Sequence, residues 1–273
     1  AEAFPVSEIT VLYTAACEDR QVETAEDIFR AGAQLNLIDS TMDAEGCWVP
    51  RFIVFEPDYL VDASAVAECF QDYEVSPFHY LRNKFEEKEN RSYLLLGNLA
   101  NFFLDELVFS DDAEKVSFDE VFLRSFKQSP FEYTSCPDIA SPDDFRRFMQ
   151  QAREQFTNIR RVIREDFPRH GIVSRGCTLE PSFFSEKYGF QGRLDLLYLP
   201  PTATDAGIVE LKSGRLPYPP SNAGKIALNH AVQTAVYRLM IQSVYGIDDR
   251  HISAAILYSS GNRAGENLRF AAV

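Results

Sequence analysis

The spacing of hydrophobic and polar residues changes along this chain and predicts strands first and helices later. Residues 6–13, 35–39 and 48–55 have the apolar and β-branched character of short strands, and an acidic, glycine-bearing segment separates the last two. Between the first two lies a short amphipathic segment, Glu23–Ala33. We therefore expect a small β-rich unit, a partial barrel, over residues 1–58.

From residue 59 onward the pattern is mainly helical. Helices are predicted to begin after capping residues or at a first-turn proline, namely Asp62 or Ser64, Pro77, Ser117 and Ser141-Pro142-Asp143-Asp144. The helix that Ser141 opens should run to about Phe167. The segment 92–109 is apolar around nearly its whole circumference, which predicts a central buried helix.

The segment Gly192–Lys212 has the pattern of a β-hairpin. Two apolar runs flank a loop that contains Pro200 and Pro201. If the turn is centred at residues 202–203, residues 195 and 210 lie opposite each other on neighbouring strands. We expect residues 177–187 to form a strand beside this hairpin.

After the hairpin, the pattern predicts one more helix and one more strand. The helix spans residues 226–245, and the strand spans residues 251–258. His230, Gln233 and Tyr237 fall on one face of that helix because they are spaced i, i+3 and i+7. Together with the helices upstream, these elements predict a second domain, residues 59–273, of the mixed α/β (α+β) class.

Composition describes a globular protein without a membrane segment. The chain has 273 residues, of which 45% are hydrophobic, and no apolar run is long enough to cross a membrane. Five cysteines, an odd number and widely spaced, favour reduced thiols and a cytoplasmic location. The N-terminus lacks signal-peptide architecture. The first residue is not Met and the last residues have a strand pattern, so we expect a domain cut from a longer protein.

The net charge of −14 argues against a surface that binds nucleic acid indiscriminately, although it leaves room for a local basic channel. The helix that begins at Ser141 carries a stripe of arginines, and further basic residues follow it. The stripe comprises Arg146, Arg147, Arg153, Arg160, Arg161 and Arg164, extended by Arg169, His170 and Arg175. An arginine stripe is more often a solvated face, but in this acidic chain it is the best candidate for a surface that tracks phosphates.

The hairpin also carries the residues that suggest chemistry. Asp195 on the first strand faces Glu210 on the second, and the strand period puts Lys212 on the same face as Glu210. Two carboxylates this close repel unless one is protonated or a cation joins them, and oxygen ligands favour Mg²⁺ or Mn²⁺. The chemistry implied is phosphodiester hydrolysis. A salt-bridged edge hairpin is the alternative for these residues alone.

Asp195, then Glu210-x-Lys212, then Gln233-x-x-x-Tyr237, in that order, resemble the RecB-like branch of the PD-(D/E)XK nuclease superfamily. Upstream segments such as SPFHYLRNKF and LLLGNLANFFLDEL resemble nuclease domains of flap-processing replication helicase-nucleases. The likeness covers roughly residues 57–273. It implies a restriction-endonuclease-like core, a mixed sheet flanked by helices, that acts on single-stranded or flap DNA. It also implies a helicase motor in the same full-length polypeptide.

The resemblance implies a role for each matching residue. Asp195, Glu210, the carbonyl of Leu211 and Asn101 would hold Mg²⁺ or Mn²⁺. Lys212 would position or activate the water, while Gln233 and Tyr237 would hold the scissile phosphate and the Lys212 side chain. Glu180 would support the ligands or bind a second metal ion. His230, on the same face of its helix as Gln233, is a further candidate to support the ligands. The DNA-binding residues would be Arg146, Arg153, Arg160, Arg164, Arg175 and Arg193.

Two departures from the family pattern keep alternatives open. Asn101 occupies the position of a metal-ligating His. Its alternative role is purely structural, as a core residue hydrogen-bonded to backbone. No cysteine follows Cys177, so we expect no iron–sulfur cluster in this chain, although Cys69 stands near the first position of such a site. The main alternative is a catalytically weakened DNA-binding module of a recombination complex. A nuclease of CRISPR spacer acquisition is a weaker one.

Overall fold

The computed structural model describes residues 8–12, 31–56, 59–87, 89–202, 204–217, 224–261 and 265–271. The chain divides into two compact units. One comprises Ala1–Val61 with Phe184–Gln191, and the other comprises Asp62–Phe183 with Gly192–Val273. Among the described residues no helix is long and apolar enough to cross a membrane. The described thiols Cys47, Cys69, Cys136 and Cys177 are free.

The described part of the first unit is built from short antiparallel strand pairs. Its strands are β1 (Leu35–Ile38), β2 (Thr41–Met42), β3 (Trp48–Val49) and β4 (Phe52–Phe55), with β1 paired to β4 and β2 paired to β3. The predicted strand 48–55 is divided into β3 and β4, because Pro50 has no N–H to continue a ladder. Residues 8–12 contribute only a bridge from Val11 to Trp48. The amphipathic segment Glu23–Ala33 lies almost entirely outside the described residues.

The remaining elements follow in a mixed order. The strands are β5 (Val61–Asp62), β6 (Cys177–Leu179), β7 (Ser182–Ser185), β8 (Phe190–Arg193), β9 (Leu196–Tyr198), β10 (Ala206–Lys212), β11 (Ile252–Tyr258) and β12 (Leu268–Phe270). The helices are α1 (Ala63–Glu68), α2 (Phe78–Phe85), α3 (Ser92–Val108), α4 (Phe118–Gln128), α5 (Pro130–Thr134), α6 (Pro142–Arg161) and α7 (Leu228–Tyr245). The predicted α/β class with a mixed sheet is confirmed at this level.

The main sheet is mixed and has β10 at its centre. Its order is β12-β11-β10-β9-β6, in which β10 and β11 are parallel and the other pairs are antiparallel. The burial of Ala206–Leu211 is complete, as expected for a central strand covered on both faces. A separate three-stranded sheet has the order β5-β8-β7.

The prediction of one strand over residues 177–187 is wrong. β6 pairs with β9 as expected, but β7 belongs to the other sheet. The chain turns between them at Glu180, whose φ of +48° is in the left-handed region, and at Pro181, which lacks an N–H. This turn brings Glu180 next to the chain at Asp195, since the Glu180 N–H donates to the Asp195 carbonyl at 3.0 Å.

Helix α6 has the cap that its sequence predicts, whereas Asp62 and Ser117 stand at the N-caps of α1 and α4 without a side-chain cap hydrogen bond, and Pro77 is the N-cap of α2. Ser141 and Asp144 form a reciprocal capping box at the start of α6, and the helical path continues through a π-helical turn at Val162–Asp166 to Arg169. It therefore extends slightly beyond the predicted end at Phe167. Helix α5 was not predicted, although Pro130 directly after Ser129 is a helix-start signal.

Helix α3 is the buried centre that its composition predicts. Leu99, Ala100 and Phe103 are fully buried, and α3 packs along α6. The ring of Phe103 lies 5.0 Å from that of Phe156 on α6 and 5.7 Å from that of Phe118 on α4. This aromatic contact joins three helices, so it is a principal source of stability in the larger unit.

We expect Phe103→Ala to lower the free energy of unfolding by about 3–5 kcal/mol, because it leaves a cavity where three helices meet. Urea unfolding followed by circular dichroism measures the change. Phe131→Ala is the matched control, since Phe131 is 83% exposed. It should change stability by less than about 0.5 kcal/mol. Equal effects of the two substitutions would contradict this account of the core.

Candidate active site

The hairpin register places Asp195 beside Glu210, as predicted. Leu196 pairs with Val209 and Leu197 pairs with Ile208, so the next step brings Asp195 opposite Glu210. Asp195 itself lies just before β9, where the strand pairing ends. Its Oδ2 accepts a hydrogen bond of 2.6 Å from the Leu211 N–H, which fixes the carboxylate against the end of β10.

Glu210, Lys212 and Gln233 form a closed hydrogen-bonded triangle. Lys212 Nζ donates to Glu210 Oε1 at 3.0 Å and to Gln233 Oε1 at 2.9 Å. Gln233 Nε2 donates to the same Glu210 oxygen at 2.7 Å. The amide of Gln233 uses both its donor and its acceptor, so it holds the Lys212 ammonium against Glu210. The ammonium is therefore fixed at the end of the central strand.

The Asp195 carboxylate is costly to charge where it lies beside Glu210. Glu210 is only 4% exposed. Burial first, and then the Glu210 carboxylate, raise the pKa of Asp195 well above its usual range, while the Leu211 N–H and the Lys212 ammonium act in the opposite direction. Such a site favours either a proton or a metal ion between the acids.

Two buried oxygens of the predicted ligand residues lack hydrogen-bond partners among the described residues. They are Glu210 Oε2 and Asn101 Oδ1. Helix α3 approaches the end of β10 closely, since a Cβ on Gly97, one turn before Asn101, would lie 3.4 Å from Ser213 Oγ. Buried polar atoms normally have partners, so an unpaired carboxylate oxygen and amide oxygen fit a hard cation.

The donor set for such a cation would be two carboxylates, one amide and one backbone carbonyl: Asp195, Glu210, Asn101 and Leu211. No group of three or more His, Cys, Asp or Glu side chains suited to a metal occurs in the described part of the chain. Asn101 does not count toward such a group, because its side chain is a neutral amide. All the donors are oxygens, which favours Mg²⁺ or Mn²⁺ over Zn²⁺.

The Tyr237 hydroxyl is hydrogen-bonded to the backbone. The residue is 2% exposed, and its hydroxyl donates to the Arg193 carbonyl at 2.7 Å. Its ring lies against Gly192, where an added Cβ would be only 2.9 Å from Tyr237 Cε1. Burial raises the pKa of Tyr237. The predicted contact with a phosphate would require this hydroxyl to exchange its partner, whereas its present contact positions the chain that leads into Asp195.

Asp105 joins the acidic residues of the site and was not among the predicted ones. Burial, followed by the charges of Glu180 and Glu106, raises its pKa to about 6, and Arg193 opposes this shift. Arg193 Nη1 lies 3.5 Å from Glu180 Oε2. The signal for Asp105 was its position four residues after Asn101, which places both on one face of α3.

His230 lies beside the triangle but outside it. Its Nδ1 is 2.8 Å from the Tyr258 hydroxyl. Burial first, and then the ammonium of Lys212, lower the pKa of His230 to about 4, against the effect of Asp72. The ring is therefore neutral at physiological pH, next to the cationic corner of the site.

Most arginines of the predicted DNA-binding stripe have partners within the protein. Arg153 Nη2 donates to Asp119 at 2.8 Å, and its guanidinium lies 4.2 Å from the centre of the Phe118 ring. Arg160 donates to the Val116 carbonyl at 2.9 Å. The other ion pairs are Arg146 with Asp143, Arg147 with Asp144, Arg164 with Glu114, and Arg169 with Asp166. Arg175 and Arg193 are exposed. The stripe therefore has little free positive charge, and its role in DNA binding remains a prediction.

Comparisons with known proteins add no assignment to this geometry. No protein-family model matches the chain, and no curated protein matches its sequence.

Because the pKa of Asp195 is raised, we expect the stability of the protein to depend on pH. The pKa of Asp195 is higher in the folded than in the unfolded protein. Its effect on the free energy of unfolding is therefore most favourable below the unfolded pKa, where the carboxyl is neutral, and this advantage is lost as the pH rises through the folded pKa. Asp195→Asn cannot ionise and keeps an oxygen for the Leu211 N–H. With a chelator present, we expect the variant to melt higher than the parent at about pH 8, with a smaller gap at about pH 4.5.

The control for this experiment is Asp205→Asn. Asp205 is exposed and pairs with His251 at 2.9 Å, and hydrogen bonds from His251 and Thr204 lower its pKa. Its folded-state pKa is depressed, so the substitution should not raise the melting temperature at the higher pH. A gap for Asp195→Asn that stays constant with pH would show that charge burial is not its cause.

Proposed function

We propose that this chain is a metal-dependent nuclease domain that hydrolyses phosphodiester bonds of single-stranded or flap DNA. The observation that carries the proposal is the buried cluster of Asp195, Glu210, Lys212 and Gln233, with an unpaired oxygen left on Glu210. A simple salt bridge does not require a second carboxylate with a raised pKa at the same place. The proposal favours a cation there and a polyanionic substrate.

In this proposal Asp195, Glu210, Asn101 and the Leu211 carbonyl hold Mg²⁺ or Mn²⁺. When bound, the ion would polarise a phosphoryl oxygen and lower the pKa of a water molecule. The protein contributes the fixed directions of the ligands. The Leu211 N–H holds Asp195 at 2.6 Å, and Gln233 Nε2 holds Glu210 at 2.7 Å. This preorganisation reduces the reorganisation needed when the substrate reacts.

Lys212 is the cationic group that faces the substrate in this proposal. Its ammonium is anchored by two acceptors, Glu210 Oε1 and Gln233 Oε1, and has a third N–H to offer. That proton would orient the attacking water or contact a non-bridging phosphate oxygen. The positive charge also offsets the negative charge that develops on the phosphoryl group.

The choice of DNA rests on the resemblance. The order Asp195, Glu210-x-Lys212 and Gln233-x-x-x-Tyr237 resembles RecB-like nucleases, and it supports a restriction-endonuclease-like core, single-stranded or flap DNA and a helicase motor in the full-length polypeptide. The Gln233–Lys212 contact is consistent with the role that the resemblance gives to Gln233.

A catalytically weakened DNA-binding module is the second candidate. It is favoured by the neutral Asn101 and by the direct ion pair between Lys212 and Glu210, which already compensates one carboxylate. Such a module would bind a DNA strand without cutting it. Metal binding and cleavage therefore separate the two candidates.

We expect the purified protein to cut labelled single-stranded DNA with Mn²⁺ or Mg²⁺, and Asp195→Ala to reduce the rate at least about a hundredfold, because a metal ligand is lost. Gel analysis of cleavage at saturating metal measures the rates. Asp205→Asn, which changes an exposed acid, should cut like the parent. DNA binding without cleavage by the parent would favour the weakened module. Full activity of Asp195→Ala would refute the assigned site.

The role of Asn101 is tested by metal binding. Asn101→Asp places a charged oxygen at the same position and should tighten Mn²⁺ binding by about tenfold, because ligand charge raises the affinity for hard cations. Asn101→Leu should weaken it. Calorimetry gives both dissociation constants, and Asn83→Leu on α2 is the control. Unchanged binding in both variants would mean that Asn101 is a core residue and not a ligand.

A further inference from the structure

His230 is a polar residue beside the site that has no role in the proposed hydrolysis. It precedes Gln233 by three residues on α7, so the two side chains share a helix face. The ring contacts the hydroxyl of Tyr258 at 2.8 Å, and Tyr258 is the register partner of Lys212 on the neighbouring strand β11. The Lys212 ammonium also lowers the pKa of the ring. His230 thus lies at the same end of the central strand as the triangle of Glu210, Lys212 and Gln233.

The hydroxyl of Tyr258 determines which ring nitrogen of His230 carries the proton. Tyr258 is fully buried, and its oxygen accepts a hydrogen bond of 3.3 Å from the Ala227 N–H. Burial raises the pKa of Tyr258 to about 12, so the hydroxyl keeps its proton. A buried O–H requires an acceptor, and among the described groups His230 Nδ1, at 2.8 Å, is the acceptor within reach.

Nδ1 therefore accepts, and the imidazole proton is on Nε2. Burial first, and then the Lys212 ammonium, keep the ring neutral near pH 7 against the effect of Asp72, while the Tyr258 hydroxyl contacts Nδ1. Among the described residues none is hydrogen-bonded to Nε2, and the His230 side chain is partly exposed. A neutral N–H donor is thus left open beside the Lys212 ammonium.

An N–H donor and an ammonium on one side of the site form a binding place for an anion. We propose that His230 Nε2–H donates a hydrogen bond to a non-bridging oxygen of the substrate phosphodiester that Lys212 faces. His230 is then a substrate-contacting residue, and Tyr258 is the positioning residue that selects its tautomer. This inference rests on the proposed nuclease function and adds a second donor to it.

The first test compares three variants for cleavage of a single-stranded oligonucleotide with Mn²⁺. His230→Phe keeps a ring and removes the donor, and His230→Gln keeps an N–H at a similar reach. We expect His230→Phe to lose about ten- to a hundredfold in kcat/KM, mostly through KM, because a hydrogen bond to a charged group is lost. His230→Gln should recover most of this loss. His251→Gln, at an exposed histidine away from the site, should match the parent.

The second test needs no variant to be active and no DNA. Long-range ¹H–¹⁵N NMR correlations distinguish the two neutral tautomers, and His230→Gln identifies the resonances of His230. We expect Nδ1 to be unprotonated and Nε2 to carry the proton at neutral pH. A proton on Nδ1 would overturn the inference, because the donor would then face Tyr258.

The outcomes separate this inference from the function on which it rests. If the parent cuts DNA and His230→Phe cuts equally well, the role of His230 is wrong and the nuclease proposal stands. If the parent cuts no DNA with either metal, the nuclease proposal fails and the role of His230 fails with it. If His230→Phe and His230→Gln lose the same activity, the N–H donor is not what matters, and the inference is again overturned.

Discussion

The buried carboxylate of Glu210 is the constraint on which the site depends. A charge on the central strand of a covered sheet must be compensated, because transfer from water to the interior is expensive. Lys212 and Gln233 compensate one of its oxygens with hydrogen bonds of 3.0 and 2.7 Å, and the other oxygen has no described partner. The position of Asp195 beside it makes the unpaired oxygen more costly and a cation more favourable.

The free-energy cost of burying these carboxylates must be balanced by packing elsewhere in the larger unit. The aromatic contact of Phe103, Phe118 and Phe156 joins α3, α4 and α6 away from the carboxylates. Helix α3 therefore has two roles, since one part packs in this core while Gly97, one turn before Asn101, lies close to Ser213 at the end of β10. Tyr237 acts in the same way on the other side, because its bond to the Arg193 carbonyl fixes the chain that enters Asp195. A functional site that costs stability is commonly balanced in this manner.

The parts that could be predicted from sequence are those that local rules determine. Turn symmetry predicted that residue 195 would lie opposite residue 210, and the capping box at Ser141 predicted the start of α6. The break at Glu180 was missed because a left-handed φ in a non-glycine residue has no reliable sequence signal. The contacts of Tyr237 and of the arginine stripe were harder to predict. The Tyr237 hydroxyl binds a carbonyl 44 residues away, and hydrophobic periodicity does not show which acids pair with the arginines.

The partners of the arginines change where a DNA strand would gain its binding energy. The chain has a net charge of −14, and Arg153 and Arg164 are paired with Asp119 and Glu114. A phosphate that displaced those acids would gain little, because it would exchange one anion for another. Under the proposed function, the attraction would come mainly from the site itself, where Lys212, the proposed N–H donor of His230 and a bound divalent ion would act on one phosphate. A nuclease of this kind would bind its substrate weakly without metal and strongly with it, so binding and catalysis would depend on the same few groups.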